Sequence, residues 1–331
     1  MIPRPTTRGT LVLIVGVFAL GMRQLFGGDA LEVVVVSTVL LVGTTGMLVA
    51  RFDPPSVRRS LSPSGHQDER IQVDLWVESR RSYPASIHDE TADGLEEDGP
   101  RFAITDGRRL EYDLELNTRG RHTVGPATVT AYDPFKLWKR TFTSGGTQTV
   151  TVFPRVDPIR PTGTVVKQYV EQSRDRSAFD GIRPYQPGDP LRDVNWKATA
   201  KRQGSLIVTE YAGSNENHRP RIGVECDWPR ADGAARAAAS LASFLLENGF
   251  EVGLLTEERT LAPASGPGHR RRVFEHLAGL SGSSLDGTKR ERADVLIEVH
   301  RGGEQVSIRS GPETVGYDEV AADSNWVTVG P

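Results

Sequence analysis

The sequence has few of the residues that carry cross-linking or metal chemistry. Its 331 residues include one cysteine, Cys226, so an internal disulfide is excluded, which suits a reducing compartment. The seven histidines are scattered, without the His-Glu-x-x-His spacing of zinc hydrolases. Neither a Gly-x-Ser-x-Gly elbow nor a complete phosphate loop occurs. The sequence therefore predicts no catalytic centre, no cofactor and no metal.

The chain also lacks a strong charge of either sign. Forty basic side chains against 43 acidic ones leave a net charge of -3 at pH 7. A nucleic-acid-binding surface requires a concentration of positive charge to neutralise phosphates. Residues 155–202 are mildly basic and contain aromatic side chains, but this is a weak electrostatic footprint. The composition therefore argues against nucleic acid as a partner.

Long apolar runs occur only within the first 50 residues. Segments 10–27 and 31–50 would each form a helix of ~27–30 Å, close to the hydrocarbon thickness of a bilayer. Arginines lie outside the pair, at Arg4, Arg8, Arg51, Arg58 and Arg59. The positive-inside rule then places both ends in the cytoplasm. A cleaved signal peptide would explain the first run, but a second run follows at once and no small-residue cleavage site is evident.

We therefore expect residues 1–50 to form two transmembrane helices of a multi-pass cell-membrane protein whose soluble domains are cytoplasmic. Residues 51–68, rich in proline, serine and charge, are predicted to be a linker. From Ile71 onwards apolar residues alternate with polar ones, and turn-forming residues separate several such segments. This pattern predicts an all-β antiparallel sandwich over residues 69–155, with the acidic stretch 89–99 as a solvated hairpin tip.

The pattern changes again in residues 215–331. A strand at 221–226, an alanine-rich helix at 233–248 and a strand at 250–255 form a βαβ unit, which requires parallel pairing. A second helix at 270–280 and a strand at 293–299 extend it, and shorter strands are predicted at 305–308 and 326–329. The prediction for this region is an open α/β sheet.

Between these regions, residues 156–214 hold the most distinctive stretch. Gln186-Pro187-Gly188 has the composition of a turn, Asp189 is placed to cap a helix, and Pro190 suits the first helical position. We expect a helix from Pro190 to about Arg202, followed by a strand over 205–211. One face of that helix would carry four chemically different side chains, namely Arg192, Asn195, Trp196 and Thr199.

These residues carry a resemblance. The spacing Arg183-x-Tyr185-x-x-Gly188-Asp189-x-x-Arg192-x-x-x-Trp196-x-x-x-Ala200-Lys201 resembles the signature of the domain of unknown function 58 (DUF58) family. The stretches 119–126, 133–137 and 152–154 are similar to the family's sandwich region. Asn195 stands where the family has an acidic residue, so a role that needs a carboxylate there is not carried over.

The resemblance implies a von Willebrand factor A-like fold for the C-terminal region. Such domains often bind a divalent cation through Asp-x-Ser-x-Ser after the first strand, where this chain has Asp227-Trp228-Pro229-Arg230-Ala231. Because both hydroxyls are missing, we expect no metal there. The resemblance also implies a setting beside a MoxR-type AAA+ ATPase and other von Willebrand factor A-like proteins, in systems that assemble or mature protein complexes.

Three interpretations of the signature remain open. Arg183, Asp189 and Arg192 could form an ion-pair network while Trp196 fills a junction between the sandwich and the α/β domain. Alternatively, the signature residues form a docking surface for a protein: Arg183, Tyr185, Gly188, Asp189, Arg192, Asn195, Trp196 and Lys201. On either view the chain is a membrane-anchored scaffold or adaptor and not an enzyme. The third interpretation is a hydrolase or a nucleic-acid- or phosphate-binding protein that uses the basic segment 179–202.

Overall fold

The computed structural model describes residues 2–26, 29–97, 99, 101–160, 169, 179–186, 194–201, 206–211, 219–299 and 305–322. The chain divides into two compact units, Met1–Val152 and Phe153–Pro331.

The first unit begins with two long helices, α1 (Thr7–Phe26) and α2 (Asp29–Ala50), preceded by the short strand β1 (Arg4–Pro5). Both helices are long and apolar enough to cross a membrane, and most of each candidate span is exposed. Large apolar side chains point outwards all around the pair, which is costly in water and favourable in lipid. Two hydrophobic helices thus support membrane association.

The two helices pack closely along their length. A side chain at Gly16 would collide with the Thr38 methyl group at 2.7 Å, so the small residue is what permits this approach. Near the link, Arg23 and Glu32 form an ion pair at 3.1 Å. The charged residue within the first apolar run therefore has a partner on the second helix, and α1 continues past it to Phe26.

The β region that follows contains ten further strands. They are β2 (Ser56–Leu61), β3 (Ser64–His66), β4 (Arg70–Glu78), β5 (Pro84–Thr91), β6 (Leu95–Glu97), β7 (Arg101–Ile104), β8 (Asp106–Leu116), β9 (Gly120–Tyr132), β10 (Trp138–Ser144) and β11 (Gln148–Phe153). One sheet has the order β2-β4-β8-β6. The other runs β1-β10-β9-β11-β3, with β5 pairing β9 and β7 pairing β5. All pairings described in these two sheets are antiparallel.

The two sheets face each other across shared apolar clusters. Leu75 and Val77 of one sheet pack with Ile87 and Val129 of the other, which confirms a sandwich-like arrangement. The alternating pattern that begins at Ile71 is confirmed, because the odd-numbered apolar residues of β4 are buried. The prediction of a linker over residues 51–68 is wrong, since this stretch holds β2 and β3. Both are short, and their serine and arginine content conceals the strand period.

The acidic stretch 89–99 is not a fully solvated tip either. The Asp89 carboxylate is buried and bonds to Arg59, with Nε 2.8 Å from Oδ2, and to the Tyr112 hydroxyl at 2.5 Å. Burial opposes the charge of Arg59, but the bonds to Asp89 outweigh it and raise the pKa of the guanidinium. Burial and the Asp89 charge raise the pKa of Tyr112 well above its usual range. This cluster ties β2, β5 and β8 together.

The hairpin is continuous with the sandwich. The Trp138 indole donates to the Val42 carbonyl at 3.0 Å, and Arg140 donates to the carbonyls of Ala50 and Phe52 at 2.9 and 3.0 Å. The bond to Ala50 satisfies one of the last carbonyls of α2, which have no partner within the helix. Val49 is fully buried within a sandwich cluster that also includes Phe52. The last turns of α2 therefore belong to the sandwich core.

The second unit contains eight strands and five α-helices among its described residues. They are β12 (Phe179–Pro184), α3 (Trp196–Lys201), β13 (Ile207–Tyr211), β14 (Arg221–Glu225), α4 (Ala231–Glu247), β15 (Val252–Leu255), β16 (Thr260–Ala264), α5 (Pro267–Ala278), α6 (Gly287–Glu291), β17 (Val295–Val299), β18 (Val306–Ser310), β19 (Glu313–Gly316) and α7 (Tyr317–Val320). The large sheet has the order β16-β15-β14-β17-β18-β19.

The three central strands of that sheet are parallel and the outer strands are antiparallel. The βαβ prediction is thus confirmed, while the predicted strand at 326–329 lies outside the described residues. Alanines of α4 pack against Ile222 and Val224 in one large core, because small side chains let the helix approach the sheet closely. Cys226, directly after β14, is buried. These elements alone do not identify a von Willebrand factor A-like domain, so that part of the interpretation stays a prediction.

Burial of Val49 generates a test of the link between hairpin and sandwich. We expect Val49→Ala to lower the free energy of unfolding of the first unit by about 2 kcal/mol, because it removes buried methyl groups and leaves a cavity. The neighbouring Leu48 is partly exposed, so Leu48→Ala should cost less than about 0.5 kcal/mol. Denaturant unfolding of the full chain in detergent would measure both. Equal costs would show that α2 is not part of the core.

Candidate functional site

The signature segment forms a small sheet of its own. Strand β12 pairs antiparallel with β13, with Arg183 opposite Val208 and Pro184 opposite Ile207. The Tyr185 amide continues the ladder by donating to the Leu206 carbonyl at 2.9 Å. The predicted strand after the helix is confirmed at Ile207–Tyr211.

The helix of the signature is shorter than the sequence suggests. It begins at Trp196, because Val194 forms a β-bridge with Val208 and the Asn195 amide donates to the Ile207 carbonyl at 2.8 Å. The prediction of a helix through residues 194 and 195 is therefore wrong. Strand-like pairing with β13 competes with helix formation there, so Asn195 precedes the helix that carries Trp196 and Thr199.

Asn195 has the role that the sequence suggests for Asp189. Its side-chain oxygen accepts from the Ala198 amide at 2.9 Å, the geometry of a helix N-cap. Thr199 then holds the helix to β13, since its hydroxyl accepts from the Ile207 amide at 3.0 Å. The amide of Asn195 thus caps this helix without a carboxylate.

The side chains of the signature are arranged differently from expectation. Trp196 is 63% exposed, which contradicts its interpretation as a buried filler of a junction. Arg183 and Tyr185 are half-buried and therefore less exposed than Trp196. Gly188, Asp189 and Arg192 lie outside the described residues, as does the side chain of Lys201. The ion-pair interpretation of Arg183 with Asp189 and Arg192 therefore stays a prediction.

A second candidate site lies in the large sheet, near the carboxyl ends of β14 and β17. A cleft of about 540 Å³ opens there, the position where open α/β sheets usually bind ligands. Its lining combines charged, hydroxyl and aromatic side chains, among them Glu225, Asp227, Trp228, Glu257, Ser283, Arg290 and Glu298. The sequence singles out only Asp227 of these. The others come from four stretches of the chain, at 225–228, 257, 283–290 and 298, which the sheet brings together.

Most charged side chains of this cleft form ion pairs or hydrogen bonds within the protein. Arg290 lies between two carboxylates, 3.3 Å from Glu225 and 2.5 Å from Glu298. Glu225 and Glu298 are direct neighbours on β14 and β17, so the guanidinium offsets a repulsion that would otherwise destabilise the strand pair. Glu257 accepts from the Ser284 amide at 3.1 Å. The cleft keeps a net negative charge, with the Trp228 indole exposed beside it.

Metal binding at Asp227 has little support in this geometry. Within the described residues, no group of three or more histidine, cysteine, aspartate and glutamate side chains is placed to hold a metal ion. Asp227 itself lies 3.9 Å from the Arg230 guanidinium. The absence of a metal at this position remains a prediction.

A buried carboxylate network stabilises the same unit. Asp157 accepts from Arg236 Nε at 2.5 Å and from the Tyr317 hydroxyl at 2.6 Å, and that hydroxyl lies 2.9 Å from Ser240. Burial alone would raise the pKa of Asp157, but these hydrogen bonds and the charge of Arg236 outweigh it and lower the pKa. Burial and Asp157 raise the pKa of Tyr317 above its usual range. The network joins α4 and α7 to the chain around residue 157.

Comparison with known proteins does not assign a family. No family model matches the chain, and no curated protein matches it. Among solved structures it is similar to a PKD domain of an M14-like peptidase from a Thermoplasmatales archaeon, with 19% identity, 30% of this chain and 97% of that chain covered, and a TM-score of 0.23. A FixG-related protein from Vibrio parahaemolyticus has 9% identity, 30% and 97% coverage, and a TM-score of 0.20. Similarities this low carry no functional argument.

The Asn195 cap predicts a local effect on stability. Asn195→Ala should destabilise α3 by about 0.5–2 kcal/mol, so that the Ala198 amide exchanges hydrogen roughly 2- to 30-fold faster. Asn195→Asp keeps a capping oxygen and should exchange as the unchanged chain does. Native-state hydrogen exchange resolved to residues 194–201 makes the measurement. Unchanged exchange in Asn195→Ala would mean that the side chain does not cap the helix.

The Asp157 network predicts sensitivity to acid. Because the folded-state pKa of Asp157 is lowered, its contribution to stability is present above the unfolded pKa of about 4 and is lost as pH falls through the folded value. The free energy of unfolding should fall less steeply below about pH 4 in Asp157→Asn than in the unchanged chain. Tyr317→Phe removes one hydrogen bond and keeps Arg236, so its slope should be intermediate. Identical slopes in all three proteins would contradict this account.

Proposed function

We propose that the chain is a membrane-anchored cytoplasmic scaffold or adaptor that resembles DUF58 proteins. In this proposal it acts with a MoxR-type AAA+ ATPase in the assembly or maturation of protein complexes, and its C-terminal unit is a von Willebrand factor A-like domain. The family relationship is supported by the spacing of Arg183, Tyr185, Gly188, Asp189, Arg192 and Trp196. The fold relationship is supported by the three parallel central strands and by the position of Asp227 after β14.

One observation carries the docking role, namely the exposure of Trp196. Tryptophan is enriched at the centres of protein interfaces because its large apolar surface gains much on burial. Here it stands at the first position of a helix that is capped by Asn195 and bonded to β13 through Thr199. An exposed indole on a fixed backbone loses little entropy on binding, which favours a docking surface over a structural role.

The cytoplasmic orientation rests on the arginines that flank the hairpin. Arg4, Arg8, Arg51 and Arg58 lie at the outer ends of α1 and α2, whereas Arg23 near the link is paired with Glu32. Arg59 does not belong in this count, because its guanidinium is buried against Asp89. The remaining asymmetry still favours the cytoplasm for both ends, in a multi-pass protein of the cell membrane.

Capture of a purified MoxR-type ATPase by the full chain in detergent tests the proposal. We expect Trp196→Ala to weaken capture by roughly 30-fold, the effect of a hot-spot residue, while the melting temperature stays nearly unchanged because the indole is exposed. Trp228→Ala is the matched control, since it removes a second exposed indole from the same unit. Its effect should be less than about threefold.

Two outcomes would contradict this proposal. Failure of the unchanged chain to capture the ATPase would remove the partnership, and equal loss in both tryptophan variants would remove the specific role of Trp196. Binding that depends on phosphate and disappears in Arg183→Ala would favour the alternative, a hydrolase or a phosphate- or nucleic-acid-binding protein.

A further inference from the structure

The turn between β9 and β10 reaches well along the helical hairpin. The Trp138 indole donates to the Val42 carbonyl. Gly46 lies against the same indole, because a Cβ added to Gly46 would be only 3.2 Å from the Trp138 ring. On the other helix, a side chain at Gly9 would collide with the Leu137 carbonyl. The turn, residues 133–138, therefore lies beside the last turns of α2 and the first turn of α1.

This position leaves too little free hairpin to cross a bilayer. From Val42 back to Asp29, α2 extends only about 20 Å at 1.5 Å per residue. The hydrocarbon core of a bilayer is about 30 Å thick. If the hairpin spans the bilayer, the turn must enter the lipid headgroup region. The contact between Trp138 and Val42 thus constrains how deep the sandwich sits.

The side chains at this end of the sandwich suit such an environment. Phe135 in the turn is 60% exposed, and Phe102 and Ile104 on β7 are 67% and 57% exposed. Lys136 Nζ lies 5.0 Å from the centre of the Phe102 ring and 5.9 Å from that of Tyr132. Exposed apolar side chains interleaved with lysines are typical of the boundary between lipid and water.

Strand register brings these residues to one end of one sheet. Ile104 is opposite Pro84 on β5, and the next residue of β5, Ala85, is opposite Ala131 on β9. Tyr132 is opposite Lys139, which is opposite Arg4 on the strand that leads into α1. The row from Ile104 to Arg4 therefore crosses the sheet at the end where the hairpin joins it.

The turn is held in a fixed shape by Asp133. Its buried carboxylate accepts from the amides of Phe135 at 2.9 Å and Trp138 at 2.5 Å, and its carbonyl accepts from the Lys136 amide at 2.9 Å. Phe135 is consequently presented outwards by a rigid loop. A preorganised apolar side chain loses little entropy when it enters the interface.

We propose that this end of the sandwich is a membrane-contact surface for an anionic bilayer. The surface consists of six residues: Phe102, Ile104, Tyr132, Phe135, Lys136 and Lys139. Continuity with the hairpin identifies lipid as the occupant, because the helices bring the bilayer to this position. The lysines identify the headgroup charge, since cations near an anionic surface gain electrostatic energy. The aromatic and aliphatic side chains enter the interface, and the lysines contact lipid phosphates.

The proposal is tested with single labels in the full chain reconstituted in nanodiscs. An environment-sensitive fluorophore is attached at Phe135→Cys, and a nitroxide carried on the lipids near the headgroups quenches it. Val39→Cys, on the exposed face of α2, is the lipid-facing control. Thr118→Cys, beyond the opposite end of β9 and about 40 Å along the strand, is the water-facing control. The unsubstituted chain, whose Cys226 is buried, provides the labelling blank.

We expect quenching at position 135 to be within about twofold of that at position 39 and several-fold above that at position 118. Quenching at 135 that equals the value at 118 would overturn the proposal. Quenching at neither 39 nor 135 would also overturn it, because the hairpin would then not bring the bilayer to the sandwich. Neither measurement involves the ATPase. A negative result would therefore contradict the membrane-contact surface without bearing on the proposed partnership with the ATPase.

A second arm tests the lipid charge. Quenching at 135 should be stronger in discs that contain phosphatidylglycerol than in phosphatidylcholine alone, and added salt should reduce the difference. Lys136→Glu combined with Lys139→Glu should abolish the difference, whereas the two arginine substitutions should preserve it. If quenching changes neither with headgroup charge nor with these substitutions, the assignment of an anionic bilayer as the partner would be overturned.

Discussion

The first unit depends on one constraint, which is that a membrane-length helix must end inside a β-sandwich core. The last carbonyls of α2 have no donor partners within the helix, so an end buried in apolar surroundings would be costly. Arg140 supplies donors to the carbonyls of Ala50 and Phe52, and its positive charge suits the negative end of the helix dipole. With those groups satisfied, Val49 and Phe52 can enter the core. Deletion of residues 1–50 would therefore remove Val49 from the sandwich core together with the apolar hairpin.

Each unit also contains a buried carboxylate bonded to an arginine and a tyrosine, namely Asp89 with Arg59 and Tyr112, and Asp157 with Arg236 and Tyr317. Burying such charges is costly in free energy unless each has a close partner of opposite sign. Removing either the carboxylate or the arginine would leave the remaining charge buried and uncompensated. Perturbed pKa values often indicate active sites, but here the perturbed groups bond to one another and link separate elements. Their geometry explains how each network stabilises its own core, and it does not require a catalytic role for these groups.

Much of this architecture could be predicted from local patterns. The period-two burial of β4, the βαβ order around α4 and the two apolar helices all follow from the spacing of apolar residues. The failures have physical causes. Strands β2 and β3 are short and polar, Asp89 lies in an acidic run but is neutralised by a distant arginine, and Val194 is drawn into pairing with β13. Trp196 is exposed although its size suggests burial. The pairing of β2 with β4, of Asp89 with Arg59 and of Val194 with Val208 each depends on a partner outside the local window, which local spacing cannot specify.

The same distinction applies to the membrane. Sequence-based orientation counts cations close to the apolar runs, and one of those counted, Arg59, is neutralised inside the sandwich. Lys136 and Lys139 are more than 80 residues from the hairpin in sequence, yet the turn before β10 and β10 itself place them beside the chain that leads into α1. If the proposed membrane contact is correct, the charge that the bilayer meets is set by the fold of the sandwich as well as by the flanking sequence. In that proposal, the depth of insertion is a property of the folded unit, because moving the turn along the hairpin would require breaking the bond between Trp138 and Val42.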